Sequence, residues 1–299
     1  MTAPQSTLAP PKAMTIAGSD SGGGAGIQAD LKTFAAFGVY ASSVLTAVTA
    51  QNTRGVFAVA EVPEEVIALQ IDVVLEDIGA EAVKTGMLSS ASIVETIAGR
   101  LEAWGVDKLV VDPVMIAKGG HPLLQPSAVE AVKQHLLPLA LVVTPNIPEA
   151  EVLTGMTIDS QAAARDAAMA ISSLGPRWVV IKGGHLPGDA IDLVYDGETF
   201  TEFDAERIDT PNTHGTGDSF SSAITALLAW GLPPLKAIET AKIWLTAAIL
   251  ESYAIGDGHS PVNHFHGVQL ASVVGQRAEN IRHGEVGISP LRGASHNLR

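Results

Sequence analysis

The 299-residue chain contains no cysteine, which excludes disulfides, thiolate metal sites and cysteine nucleophiles together. Basic residues are few: 18 Lys and Arg stand against 32 Asp and Glu, a net charge of −14. That balance argues against a surface that neutralises nucleic-acid phosphates or anionic lipid head groups, so any phosphate must be held locally, with a divalent cation helping. No uncharged apolar run reaches the ~20 residues of a membrane span, and residues 2–12 lack the basic-then-apolar pattern of a secretory signal. A cytoplasmic chain with neither a membrane nor a nucleic-acid partner is expected. What is present is apolar mass. At 46% apolar and only 17% charged residues, with positive mean hydropathy, the chain has ample material for a core. The length suits one large α/β domain or two smaller ones.

The hydrophobic pattern alternates between short apolar runs and segments with helical spacing. Strands are expected at 13–18, 44–48, 82–85, 108–111, 140–144 and 178–181, with helices at 27–37, 63–78, 92–104, 127–136 and 160–174. A helical stretch also follows Asn146. Repeated βα units imply right-handed crossovers and a mainly parallel, doubly wound sheet with helices on both faces. The alternation breaks once, at 190–209, where Asp196-Gly197 between apolar runs predicts a small antiparallel hairpin. Helices at 220–230 and 234–252 follow. Residues 1–12 are expected to form a flexible leader and 268–299 a tail, disordered or used in contacts, flanking a domain over 13–267.

Ligands of such sheets lie beyond the carboxyl ends of the strands. Six polar clusters fall there: Ser19 to Gly26, Gln51 to Thr53, Gly86-Met87, Asp112-Pro113, Asn146 to Glu149 and Lys182 to His185. The densest motif is His214-Gly215-Thr216-Gly217-Asp218-Ser219 at the mouth of an apolar helix. Its glycines leave backbone N–H groups open beside a positive helix end, which suits phosphate, and a carboxylate there suits taking a proton from a hydroxyl. The alternative is that Thr213, Thr216 or Asp218 merely caps the helix. Gly24 to Ala29 fits the G-x-G-x-x-A dinucleotide fingerprint, but no acidic residue between Asp30 and Glu61 is available for a ribose. Asp112, Asn146 and Glu149 offer hard oxygens for Mg²⁺, although Asn146 and Glu149 also suit a capping box. Lys182 directly follows a buried strand, where an ammonium needs an anion. Gln51 carries a donor and an acceptor able to read a heterocycle edge. His264 and His266 fit packing or hydrogen bonding better than a metal pair. Lys118, in Ala117 to Gly120, suits a loop with glycine hinges that closes over the site and excludes water.

Taken together, Thr15 to Asp20, Gly22 to Asp30, Ala50 to Val56, Lys84 to Leu88, Asp112 to Met115, Thr144 to Ala150, Lys182 to His185, His214 to Gly217 and Pro261 to His266 resemble the hydroxymethylpyrimidine and phosphomethylpyrimidine kinases of the ribokinase-like superfamily. The resemblance covers roughly residues 13–267 and implies a three-layer α/β/α fold, a homodimer, and two successive phosphorylations by ATP with Mg²⁺ in thiamine biosynthesis. It implies that Gln51 and Asp30 bind the pyrimidine and that Ala25, Met87 and Val114 line its pocket. It also implies that Lys182, Asn146 and Thr144 serve the nucleotide phosphates, and that Glu149 and Asp112 serve the metal. Gly215, Thr216, Gly217 and Asp218 would hold the transferring group.

One position departs from that pattern. The pyrimidine kinases usually carry cysteine where this chain has Asp218, whereas sugar, nucleoside and many pyridoxal kinases carry aspartate. A pyridoxal kinase of the same fold is therefore an alternative. A dinucleotide-dependent oxidoreductase or a non-catalytic ligand-binding protein is another, from a different class.

Overall fold

A computed structural model describes residues 9–115, 126–183 and 190–266. The expected loop around Lys118, Gly184-His185 and the tail from 268 lie outside the described residues. Nine strands form one sheet: β1 (Lys12–Ser19), β2 (Tyr40–Asn52), β3 (Gly55–Glu61), β4 (Ala82–Thr85), β5 (Leu109–Val111), β6 (Val142–Val143), β7 (Trp178–Ile181), β8 (Asp192–Tyr195) and β9 (Phe200–Phe203). The helices are α1 (Gly26–Ala36), α2 (Glu64–Asp77), α3 (Ala91–Ala103), α4 (Pro126–Ala131), α5 (Ile147–Thr154), α6 (Gln161–Ser172), α7 (Thr216–Ala229) and α8 (Pro234–Leu250). Strand order is β3-β2-β1-β4-β5-β6-β7-β8-β9. The six strands from β2 to β7 pair in parallel, while β3, β8 and β9 pair antiparallel. Chain order reverses across β1, where the neighbours are β2 and β4, and such a reversal opens a crevice at the strands' carboxyl ends.

Side chains alternate between two cores, as the two-residue period of a strand requires. Val83, Leu109, Val111, Val143, Val179 and Ile181 face the larger core with α2, α3, α5 and α6. Ala82, Val110, Val142 and Val180 face the other with Phe34 of α1, Phe220 and Ile224 of α7, and Ile238 of α8. The same period turns Lys84 toward α1 and α7, the face of Ala82.

Three expectations change. β2 is longer than 44–48 and returns as β3, so a second antiparallel hairpin stands at the opposite edge from β8–β9. The Val56 to Ala60 run of β3 is apolar yet largely solvent-facing, an edge strand with no alternation in its sequence. β1 starts at Lys12, one residue inside the expected leader. Helix α7 begins at Thr216 rather than Phe220, because Gly215 in the left-handed conformation (φ 72°) starts it ahead of the apolar run.

Candidate active site

A cavity of about 1130 Å³ opens at the carboxyl ends of the strands, and each of the six polar clusters contributes to its wall. The run from His214 to Asp218 forms one side. Gly215 fits against the 18–26 loop so closely that a Cβ there would lie 2.0 Å from the Gly24 carbonyl oxygen. The first intrahelical bond of α7 joins the Ser219 N–H to the Gly215 carbonyl at 2.9 Å. The amides of Thr216, Gly217 and Asp218 therefore precede the helical ladder and meet the cavity where the helix dipole is positive. The N-cap is Gly215, which brings no side chain of its own, and Thr216 Oγ1 donates to the Thr213 carbonyl at 3.2 Å. Thr216, Gly217 and Asp218 of this first turn all line the cavity.

Opposite stands a glycine loop held by Asp20. Its carboxylate accepts from the amides of Gly22 (2.8 Å), Gly24 (3.0 Å) and Ala25 (2.9 Å), and His214 Nε2 lies 3.1 Å away. Burial works to raise the Asp20 carboxyl, but His214 and these amides outweigh it and hold the group below its usual range. The N–H groups of Gly22, Gly24 and Ala25 are thus spent on Asp20. His214 also lies 3.4 Å from Gln51 Nε2, and Thr49 Oγ1 donates to Gln51 Oε1 at 3.2 Å, so the amide expected at the heterocycle is braced from two sides. Gln51 sits within β2 rather than after it. Ala25, Met87 and Val114 line the same cavity.

Beneath the cavity, two lysines organise the carboxylates. Lys182 Nζ lies 2.9 Å from Asp112 Oδ1 and 3.7 Å from Glu149 Oε2. Lys84 Nζ lies 2.7 Å from Asp30 Oδ1 and 3.6 Å from Asp218 Oδ1. Both ammonium groups are held above their ordinary values, because the carboxylates around them outweigh the burial that opposes charge. Asp218 is pushed up to about 6, mainly by burial, with Lys84 resisting. Glu149 rises to about 7, again by burial, against the pull of Lys182.

Asn146 and Glu149 form a capping box on α5: Asn146 Oδ1 accepts from the Glu149 amide (2.9 Å) and Glu149 Oε2 from the Asn146 amide (2.7 Å). The capping alternative is realised, yet both residues also line the cavity. Two residues stand elsewhere than expected. Asp30 is wholly buried below the cavity wall, its carboxylate engaged by Lys84, by Thr15 Oγ1 (2.6 Å) and by Ser222 Oγ (2.6 Å), with no face left for a pyrimidine. Thr144 is likewise buried, and donates to Asp112 Oδ1 at 3.1 Å rather than reaching phosphate. His264 is buried and lies 3.0 Å from Ser219 Oγ, while His266 packs on Trp244, so neither is arranged for a metal.

Among the described residues no group of three or more His, Asp or Glu forms a metal cage. Asp112 and Glu149 nevertheless present two hard carboxylates to the cavity, and Mg²⁺ is often held by one or two carboxylates, water and substrate phosphates. The donor set fits that mode. The cavity is also lined by Ala205 to Thr210 after β9 and by Lys242, Thr246 and Ile249 of α8.

The family model for phosphomethylpyrimidine kinase matches residues 20–263. The chain belongs to the phosphomethylpyrimidine kinase family. Its relatives include the hydroxymethylpyrimidine/phosphomethylpyrimidine kinase of Streptomyces coelicolor, 51% identical over 265 residues, covering 88% of this chain and 98% of that one. The thiamine biosynthesis bifunctional protein ThiED of Geobacter sulfurreducens is 53% identical over 252 residues, and this chain spans about half (51%) of its length. Among solved structures, an ADP complex of Bacillus subtilis pyridoxal kinase matches with a TM-score of 0.80 at 42% identity, over 85% of this chain and 97% of that one. The family's ribokinase-like α/β/α fold agrees with the sheet and its two helical layers. No described helix is long and apolar enough to cross a membrane.

Proposed function

We propose that this member of the family transfers the γ-phosphoryl group of ATP to the hydroxymethyl group of 4-amino-5-hydroxymethyl-2-methylpyrimidine, and then a second phosphoryl group to the monophosphate. The observation that carries the reading is Asp218, placed in the same open first turn of α7 as three helix amides and beside the Lys182 cluster. The flat heterocycle fits against Gln51, Ala25, Met87 and Val114. Asp218 takes the proton of the hydroxyl as its oxygen bonds to the γ-phosphorus and the bond from that phosphorus to the bridging oxygen breaks, releasing ADP. The amides of Thr216 to Asp218 hold the transferring group's charge, and Lys182 meets the nucleotide phosphates. Asp112 and Glu149 would hold Mg²⁺, which neutralises phosphate charge when bound. A monoester acceptor is largely ionised at neutral pH, so the second transfer depends less on Asp218. The enzyme is read as cytoplasmic and dimeric, and sedimentation reads the second point directly.

A pyridoxal kinase is the second reading, favoured by the Bacillus subtilis pyridoxal kinase structure and by the aspartate at 218. ADP release is to be measured with MgATP against hydroxymethylpyrimidine, its monophosphate and pyridoxal, each with substrate-free and EDTA controls. Turnover of both pyrimidines is expected. Turnover of pyridoxal alone transfers the assignment to the second reading, and silence with all three removes both.

A further inference from the structure

Lys84 and Asp30 form a buried pair that has no access to the cavity, yet touches the residue that faces it. Lys84 lies on β4, turned by the strand period toward α1 and α7, and is completely buried. Its ammonium makes a 2.7 Å bond to Asp30 Oδ1 and stands 3.6 Å from Asp218 Oδ1. Asp30 is saturated: Thr15 of β1 donates to one oxygen and Ser222 of α7 to the other. Gly86 leaves room for the ammonium, since a Cβ there would lie 3.3 Å from Nζ. Neither member of the pair lines the cavity.

A buried ion pair is poor evidence for stability, because well-packed apolar residues of similar volume often do as well. What needs explaining is the asymmetry. The ammonium is bonded to the carboxylate that cannot reach substrate, and lies just beyond hydrogen-bond distance of the one that can. At 3.6 Å in a water-poor setting its charge still acts strongly on Asp218, without occupying a lone pair.

We propose that Lys84 and Asp30 are positioning residues for Asp218: Lys84 supplies the countercharge that keeps Asp218 ionised, and Asp30 holds the ammonium back from the oxygen that accepts the proton. The charged and titratable groups facing Asp218 are Lys84 from β4, Asp30 from α1, Asp112 after β5, Lys182 after β7, Glu149 of α5, and His214 just ahead of α7. Of these, Lys84 and Asp30 are the two sealed from solvent and from the cavity, so their influence does not change when a nucleotide arrives.

The inference rests on the phosphotransfer reading, and the test separates the two. Asp30→Asn and Lys84→Met are made in the full chain, with Asp218 intact and in an Asp218→Asn background, together with the double variant Asp30→Asn/Lys84→Met, which removes both members of the sealed pair at once. The readouts are kcat and KM for hydroxymethylpyrimidine and ATP, and the acid limb of kcat against pH. Lys84→Met is expected to lower kcat at least tenfold, with both KM values within twofold, and to move the acid limb to higher pH. Asp30→Asn is expected to lower kcat while moving the limb the other way, because the ammonium then closes on Asp218. In the Asp218→Asn background neither substitution should cost more than a further twofold, since interacting groups are non-additive. Should Lys84→Met not fold, the double variant carries the same expectation of an upward limb shift. Equal losses in both backgrounds, or an unmoved limb in a folded variant, overturn the inference while the kinase reading stands. Absence of ADP release by the unaltered chain overturns both.

Discussion

Lys84 on β4 and Lys182 after β7 each stand between two carboxylates, with β5 and β6 between their strands, but one is sealed from the cavity and the other faces it. Lys182 follows β7 at the cavity wall, with 17% of its side chain accessible, and both of its partners, Asp112 and Glu149, line the cavity. Lys84 is at 0%, and only one of its two partners, Asp218, reaches the cavity. A cation that an anion can approach stabilises phosphate. A cation that none can approach acts only on the charge of its neighbour. On the proposed function, the same residue type in the same kind of setting therefore takes two different tasks, set by its access to the cavity.

The contrast is most severely tested at the residue between the two. Asp218→Asn removes the proton acceptor and is expected to lower kcat for the first phosphorylation by roughly 10²- to 10⁴-fold, with a much smaller loss for the second. Equal losses in assays of the two acceptors would remove the base role assigned to Asp218. Lys182→Met should lower kcat/KM for ATP by about 100-fold, the scale of one lost preorganised charge contact. Lys84→Met should leave the KM for ATP unchanged. In both, urea unfolding should show a loss of about 3–5 kcal/mol from buried carboxylates left without their countercharge. A raised KM for ATP in Lys84→Met would dissolve the distinction between the two lysines.

With the first substrate, kcat should fall about tenfold per pH unit below about 6, because Asp218 must be ionised to accept a proton and its carboxyl is pushed up to about 6. A flat profile down to pH 5 would contradict this assignment. The smallest effects are expected in the supports. Asn146→Ala should cost about 1 kcal/mol of stability through the lost cap. His264 is lowered to about 4, chiefly by burial, so the folded chain prefers it neutral. Its unfolded form binds a proton below the ordinary value of 6.5, and the stability it contributes is present above 6.5 and lost as pH falls toward 4. In His264→Gln that part of the pH dependence of Tm should vanish.

Much of this was legible in the chain. Residues 82–85 and 178–181 coincide with β4 and β7, short and largely buried segments set between helical stretches of the βα rhythm. The open turn at 215–218 was legible from its glycines. Other features were hidden for stated reasons: β3 presents apolar residues to solvent, and Asp30 and Lys84 lie 54 positions apart with no periodicity linking them. Lys84 even lay inside a motif read for resemblance, where its signal was available: a lysine in an otherwise buried strand must have an anion opposite it.

The sequence by itself determined the βα rhythm, the rim on which the polar clusters gather, and the glycine turn ahead of α7, because these depend on local period and on glycine's backbone freedom. Only the tertiary structure decided which carboxylates face the cavity and which lie beneath it. That choice turns on strand parity and helix packing, which set whether Asp30 at α1 and Asp218 at α7 share one ammonium, and no local pattern encodes a distance between separate elements.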